Sequence, residues 1–179
     1  MCREDRKYTE RGGGSMFHIG DKVVHPMHGA GVIDGIVREK LGTSIQDYYV
    51  FKMPVGGLVL KIPTTTSHMI GLRSVVGAGE AVELIRSISA MQVDMASNWN
   101  HRYRENMQRL KSGDLYEVAR VIKGLAYRDS ERGGLSNGER KMLHTAKQIL
   151  LSEMVLAMGQ DYQAVEDQLN AAMLGERAG

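Results

Sequence analysis

Residues 97–104 read Ser-Asn-Trp-Asn-His-Arg-Tyr-Arg and contain the only tryptophan of the chain, Trp99. A polar residue that can cap a helix, Ser97 or Asn98, stands directly before it. A large aromatic wedge at a helix start, followed within about a turn and a half by Arg102 and Arg104, is suited to nucleic acid. The ring can press against or between bases while the arginines hold phosphates. Spacing alone offers a second reading: Trp99, Tyr103, Met107 and Leu110 share one helical stripe, and a tryptophan on an apolar stripe is usually core. His101, Arg104, Gln108 and Lys111 recur at three- and four-residue steps and form a polar, basic face. From Trp99 to Gly113 there are four cations and one anion, Glu105. A solvated helix face would have the same pattern, so the local excess supports nucleic acid without requiring it.

Other chemistry is sparse. His25 and His28 form an H-x-x-H pair with His18 nearby, but no obvious third or fourth ligand completes a zinc site. A structural or surface role fits them better. Cys2 has no clear base partner. Gly29-Ala30-Gly31 lacks the lysine and hydroxyl of a phosphate loop and the full dinucleotide fingerprint. These glycines suit a tight turn or the closure of a small barrel. No Ser/His/Asp arrangement stands out, so the expectation is a protein without an active site, metal or cofactor.

Size and charge set the frame. The chain has 179 residues, 42% of them hydrophobic, and a formal net charge of +2, so any nucleic-acid surface must be local. A single cysteine precludes an intrachain disulfide and makes the cytoplasm the default compartment. No stretch reads as a membrane span or signal peptide. Twelve methionines against two phenylalanines favour adaptable helix packing. Residues 1–15 are polar, have no hydrophobic period and end in a glycine run. They read as a disordered leader or a mis-assigned start, with Met16 the true beginning.

The elements that would position Trp99 fall in two regions. Between Phe17 and Ile62, the short β-rich runs 22–25, 31–37, 47–53 and 57–62 alternate with turn signals, and all three prolines lie here or directly after it. A small, strongly bent sheet or barrel is expected. From about Val76 the period becomes helical. Ala81, Leu84, Ile85 and Ile88 share a face, and Gly113 follows the end of the Trp99 helix. Asp114 with Glu117, and Ser136 with Glu139, fit capping boxes that open two further helices. Tyr162, Val165, Leu169 and Met173 mark the last. The fold class is therefore α+β in two domains. The expected division is a β-module at 16–73 and a compact helical domain at 74–179.

Several of these runs together carry a resemblance. Phe17-His18-Ile19-Gly20-Asp21-Lys22-Val23-Val24-His25-Pro26-Met27-His28-Gly29-Ala30-Gly31 resembles the opening of the CarD-like (CdnL) family of bacterial transcription regulators, a module shared with transcription-repair coupling factors. Asn98 to Tyr103, Leu110 to Asp114, Arg128-Asp129 to Gly133, and Leu135 to Leu143 resemble the CarD-like regulators in particular. The resemblance covers roughly Met16 to Met173. It implies a Tudor-like β-module that binds the RNA polymerase β subunit and a helical domain that touches promoter DNA. It places Trp99 as a minor-groove wedge at the upstream edge of the transcription bubble, helping to hold the open complex. Arg102 and Arg104 match family DNA contacts, and His101 stands where the family often has arginine. Lys61 matches a basic residue on the polymerase-binding strand, and Arg38 lies near another such position. The implied mechanism is a tether: polymerase binding raises the local concentration of a weak DNA-binding module. A membrane or small-molecule partner is not expected. Two alternatives remain, a polymerase adaptor related to transcription-repair coupling and a small metal-dependent enzyme using His25 and His28.

Overall fold

A computed structural model describes residues 17–175. The expected leader and the proposed start at Met16 lie outside them. Five strands, β1 (Lys22–His25), β2 (Gly29–Leu41), β3 (Ser44–Lys52), β4 (Val59–Pro63) and β5 (Arg73–Ser74), form one antiparallel sheet in the order β4-β3-β2-β1-β5. The short helix α1 (Ser67–Ile70) precedes β5. Five longer helices follow: α2 (Ala78–Ile88), α3 (Trp99–Lys111), α4 (Leu115–Arg132), α5 (Asn137–Met158) and α6 (Tyr162–Leu174). The expected class, a small bent sheet followed by a helical region, is the one observed.

The sheet departs from the sequence reading in two respects. β2 runs on through Arg38-Glu39-Lys40, because hairpin pairing with β3 carries it beyond the apolar core. A two-residue turn opened by Gly42 at φ 61° closes that hairpin. β5 is only two residues long, too short to show a period. A register shift between Ile33 and Gly35 bulges β2 at Asp34 and bends the sheet.

Two hydrophobic cores result. Phe17, Val23, Ile33, Tyr49, Phe51, Met53, Ile62 and Leu72 fill the sheet module. Phe17 packs edge-on against Tyr49, with ring centroids 6.1 Å apart, and its backbone N–H donates to the Tyr49 hydroxyl. The second core gathers apolar faces of the longer helices, including Leu84, Leu110, Ile122, Leu150 and Val165. Each of the five longer helices starts from a side-chain cap or an acidic first turn. Asn98 caps α3 by accepting from His101 N–H, and Asp161 caps α6 by accepting from Ala164 N–H. Ser136 and Glu139 form the complete capping box expected at α5. At α4 only half the expected box is present. Asp114 accepts from Tyr116 and Glu117 N–H, while the Glu117 carboxylate turns to Arg109 and Arg120.

Polar contacts join the cores along one side of α5. The Ser152 hydroxyl accepts from Ala30 N–H at 2.8 Å and donates to the Ile149 carbonyl. The approach is close enough to require glycines at the start of β2. A Cβ on Gly29 would lie 2.4 Å from Ser152 Oγ, and one on Gly31 would lie 2.7 Å from the Phe51 ring. The close approach of α5 to Gly29 and of Phe51 on β3 to Gly31, rather than phosphate binding, accounts for the Gly-Ala-Gly run. Next to it, Arg73 on β5 forms two parallel bonds with Glu153, at 2.7 and 2.8 Å, and Val76 N–H donates to the same carboxylate. Glu153 is 0% exposed. Arg73 also donates to the Gly113 carbonyl, in the turn that ends α3, and Lys22 donates to the Leu156 carbonyl.

Arg73→Met should therefore destabilise the chain by about 3 kcal/mol, because it strands a buried carboxylate. Denaturant melting of the full chain measures this, and a loss within about 0.5 kcal/mol, typical of a surface site, would show the pair to be ornamental. The β1–β2 turn makes a second prediction. His25 Nδ1 accepts from Met27 N–H, and burial, then the neighbouring His28, lowers the His25 pKa from 6.5 to about 4. The unfolded chain thus takes up a proton near pH 6.5 that the folded chain refuses until near pH 4. Stability is full above pH 6.5 and falls progressively toward pH 4. His25→Asn keeps an acceptor for Met27 N–H and should flatten this part of the stability profile.

Candidate nucleic-acid interface

Trp99 sits at the first position of α3 and is 43% exposed. Its ring stacks on Tyr103, with centroids 5.2 Å apart and planes 22° apart. Its indole N–H donates to Ser136 Oγ at 3.2 Å. Beneath the two rings is Gly138, where a Cβ would meet Trp99 at 3.5 Å and Tyr103 at 3.7 Å. The predicted stripe therefore splits along its length. Leu110 is buried, Met107 and Tyr103 are half-buried, and Trp99 emerges at the end with one face open.

The side of α3 turned inward is largely polar. Arg102, Asn106 and Leu110 are the buried residues of the helix, and Arg102 is only 2% exposed. Its Nε and Nη2 donate to Glu139 Oε1 at 2.9 and 2.8 Å, and Nη1 donates to the carbonyls of Ala96 and Ser97. Burial pushes the Glu139 carboxyl up, but bonds from Arg102 and Ser136 outweigh it and hold the group below its ordinary pKa. Arg128 Nε adds a second positive group at 3.1 Å from Glu139 Oε1. Arg102 is thereby removed from the expected DNA-contacting set. Its guanidinium faces a carboxylate and two carbonyls inside the protein, where a phosphate cannot reach. The helical wheel could not show this, because the partner lies 37 residues away.

The outer face agrees with the spacing argument. His101, Arg104, Gln108 and Lys111 are all exposed. Arg104 donates to the Asn100 carbonyl of its own helix, and His101 lies 3.6 Å from Glu105. Arg109, counted among the cations of this segment, is engaged with Glu117 at 3.5 Å. The charge displayed outward is therefore smaller than the bare count implies and rests mainly on Arg104 and Lys111.

On the sheet, Lys61 and Arg38 are not brought together. Lys61 is exposed on β4 and forms an ion pair with Glu39. Arg38, the neighbour of Glu39 on β2, points to the opposite face, where its fork grips Asp47 at 2.8 and 3.2 Å. That grip holds the Asp47 carboxyl below the usual range. Arg38 and Lys61 therefore lie on opposite faces of the sheet, both exposed and each in an ion pair. The His25 and His28 rings lie 4.5 Å apart and tilted by 48°, and among the described residues no group of three or more His, Cys, Asp or Glu could hold a metal ion. No helix of the described residues is long and apolar enough to cross a membrane.

Comparison with known proteins agrees with this architecture. Residues 17–76 match the model of the CarD-like/TRCF RID domain, and residues 83–170 match that of the CarD C-terminal domain. YdeB of Bacillus subtilis (strain 168), named as a candidate transcription factor, is 32% identical over 144 residues, covering 80% of this chain and 94% of that protein. The chain belongs to the CarD-like family of transcription factors.

The two arginines of α3 should separate cleanly. Arg102→Ala leaves Glu139 buried beside fewer cations and should cost about 3 kcal/mol of stability. Arg104→Ala should leave melting within about 0.5 kcal/mol. It should also make the salt dependence of duplex binding shallower by about one unit of slope. Denaturant melts and salt-titrated binding curves on both variants check this, and the reverse assignment of effects would return Arg102 to the surface.

Proposed function

We propose that this protein is a transcription regulator that attaches to RNA polymerase through its β-module and stabilises the promoter open complex with Trp99. One observation carries the reading: a tryptophan at a helix start, open on one face, stacked on a tyrosine and bordered by exposed Arg104 and His101. An aromatic face of this kind suits the upstream edge of a bubble, where bases are already partly unstacked and accept a wedge at low cost. It needs no sequence code. Few outward cations imply weak, salt-sensitive binding to free duplex, so polymerase must supply the local concentration.

Family membership supports polymerase as the partner. The β subunit, the minor groove and the bubble edge are the finer parts of the proposal. Lys61 is the polymerase-facing residue of choice, being exposed on the edge strand β4. Its pairing with Glu39 makes it a steering charge at an interface rim, where charges chiefly tune association rate.

The deciding experiment measures melting and open-complex half-life on one preparation of Trp99→Ala. A half-exposed ring contributes modest burial, so the melt should shift by about 1 kcal/mol or less. Loss of a base-stacking contact worth about 1–3 kcal/mol should shorten the half-life by about 5- to 150-fold. A large melting loss that accounts for the promoter effect would make Trp99 a core residue. In the full chain, Lys61→Glu should slow association with polymerase and leave duplex binding unchanged, and unaltered association would relocate the tether.

A further inference from the structure

The Ser136 hydroxyl uses every hydrogen-bonding valence it has. It accepts from Trp99 Nε1 at 3.2 Å and from Glu139 N–H at 3.3 Å, and it donates to Glu139 Oε2 at 2.9 Å. A hydroxyl has one donor and two lone pairs, so nothing is left over. The direction of each bond is also fixed. Glu139 stays ionised between Arg102, Arg128 and the Ser136 backbone N–H, and an ionised carboxylate can only accept. The Ser136 proton must point at Glu139, which leaves a lone pair turned toward the indole N–H. Tyr103 supports one face of the ring, and both rings lie over Gly138 at the start of α5.

We propose that Ser136 is a positioning residue for Trp99, holding the indole in its binding orientation before DNA arrives. Arg102 acts through it, by keeping Glu139 ionised and in place. The inference rests on the wedge reading of Trp99 and adds the reason the wedge is ready. An exposed aromatic that must be ordered on binding forfeits part of its contact energy to lost rotamer freedom, and a ring already fixed at its N–H does not.

Trp99 is the only tryptophan, so the indole fluorescence of the whole chain reports its freedom alone. Ser136→Gly removes the hydroxyl at a position where glycine still caps a helix tolerably. Ser136→Thr keeps both the hydroxyl and the cap. With excitation at the red edge, where tyrosine absorbs little, Ser136→Gly should lower the emission anisotropy and red-shift the spectrum. It should also shorten the open-complex half-life by about threefold, the scale of one ordered side chain. Ser136→Thr should resemble the parent in all three. Unchanged anisotropy in Ser136→Gly, or equal behaviour of the glycine and threonine variants, overturns the positioning role. If Trp99→Ala leaves the half-life unchanged, the wedge reading falls and takes this role with it. If Trp99→Ala shortens the half-life and Ser136→Gly does not, the positioning role alone falls.

Discussion

Glu153 is a carboxylate with no access to water, placed where two separate cores meet. Burying such a charge is costly unless its lone pairs are filled by charged donors in good geometry. Here the fork of Arg73 fills both oxygens, and Val76 N–H adds a third bond. Because Arg73 also holds the Gly113 carbonyl, one side chain ties the sheet to α5 and to the end of α3. Hydrophobic burial makes each module compact. This pair sets how the modules stand to each other, since apolar contacts alone would let them slide.

The same device recurs at the opposite end of α5. Glu139 lies in the first turn of that helix, buried and clasped by Arg102 from α3, with Arg128 of α4 close by. Helix α5 thus has an acidic residue at each of its two main junctions, one under the sheet and one under Trp99. About 21 Å of rigid helix separates them, at 1.5 Å per residue. Under the proposed function, α5 is the strut that carries the position of the polymerase contact to the tip of the wedge. A flexible link would give only local concentration, whereas a strut also gives orientation.

Much of this was legible in the sequence because it depends on short-range rules. The strand at 22–25, the core of the one expected at 57–62, the caps Asp114 and Ser136, a cap at Ser97 or Asn98, and the outward row from His101 to Lys111 all follow from local period and local hydrogen bonding. What stayed hidden depends on distant partners. The fate of Arg102 hinges on Glu139, and the value of Arg73 hinges on Glu153, 80 residues away. No periodicity encodes such pairings, and a lone arginine on a helix looks the same whether it faces phosphate or a buried carboxylate. The Ser136–Glu139 pattern was visible as a cap, but its second role, receiving the indole N–H, needed the fold. Spacing alone likewise left core and surface open for Trp99, the resemblance pointed to the surface, and α3 projects its first residue beyond the core.

The Arg73–Glu153 pair also constrains how this chain can change over time. Substituting Arg73 alone leaves a bare carboxylate in a dry place, and substituting Glu153 alone leaves a part-buried guanidinium without its acid, so single steps at these positions pass through a destabilised intermediate. An apolar pair could replace both at little thermodynamic cost, but only by two changes arriving together, one in each half of the chain. The two halves are therefore not freely exchangeable parts. A graft of this β-module onto another helical partner would inherit an arginine with no acid to meet it, and Gly29 without the serine it was fitted to.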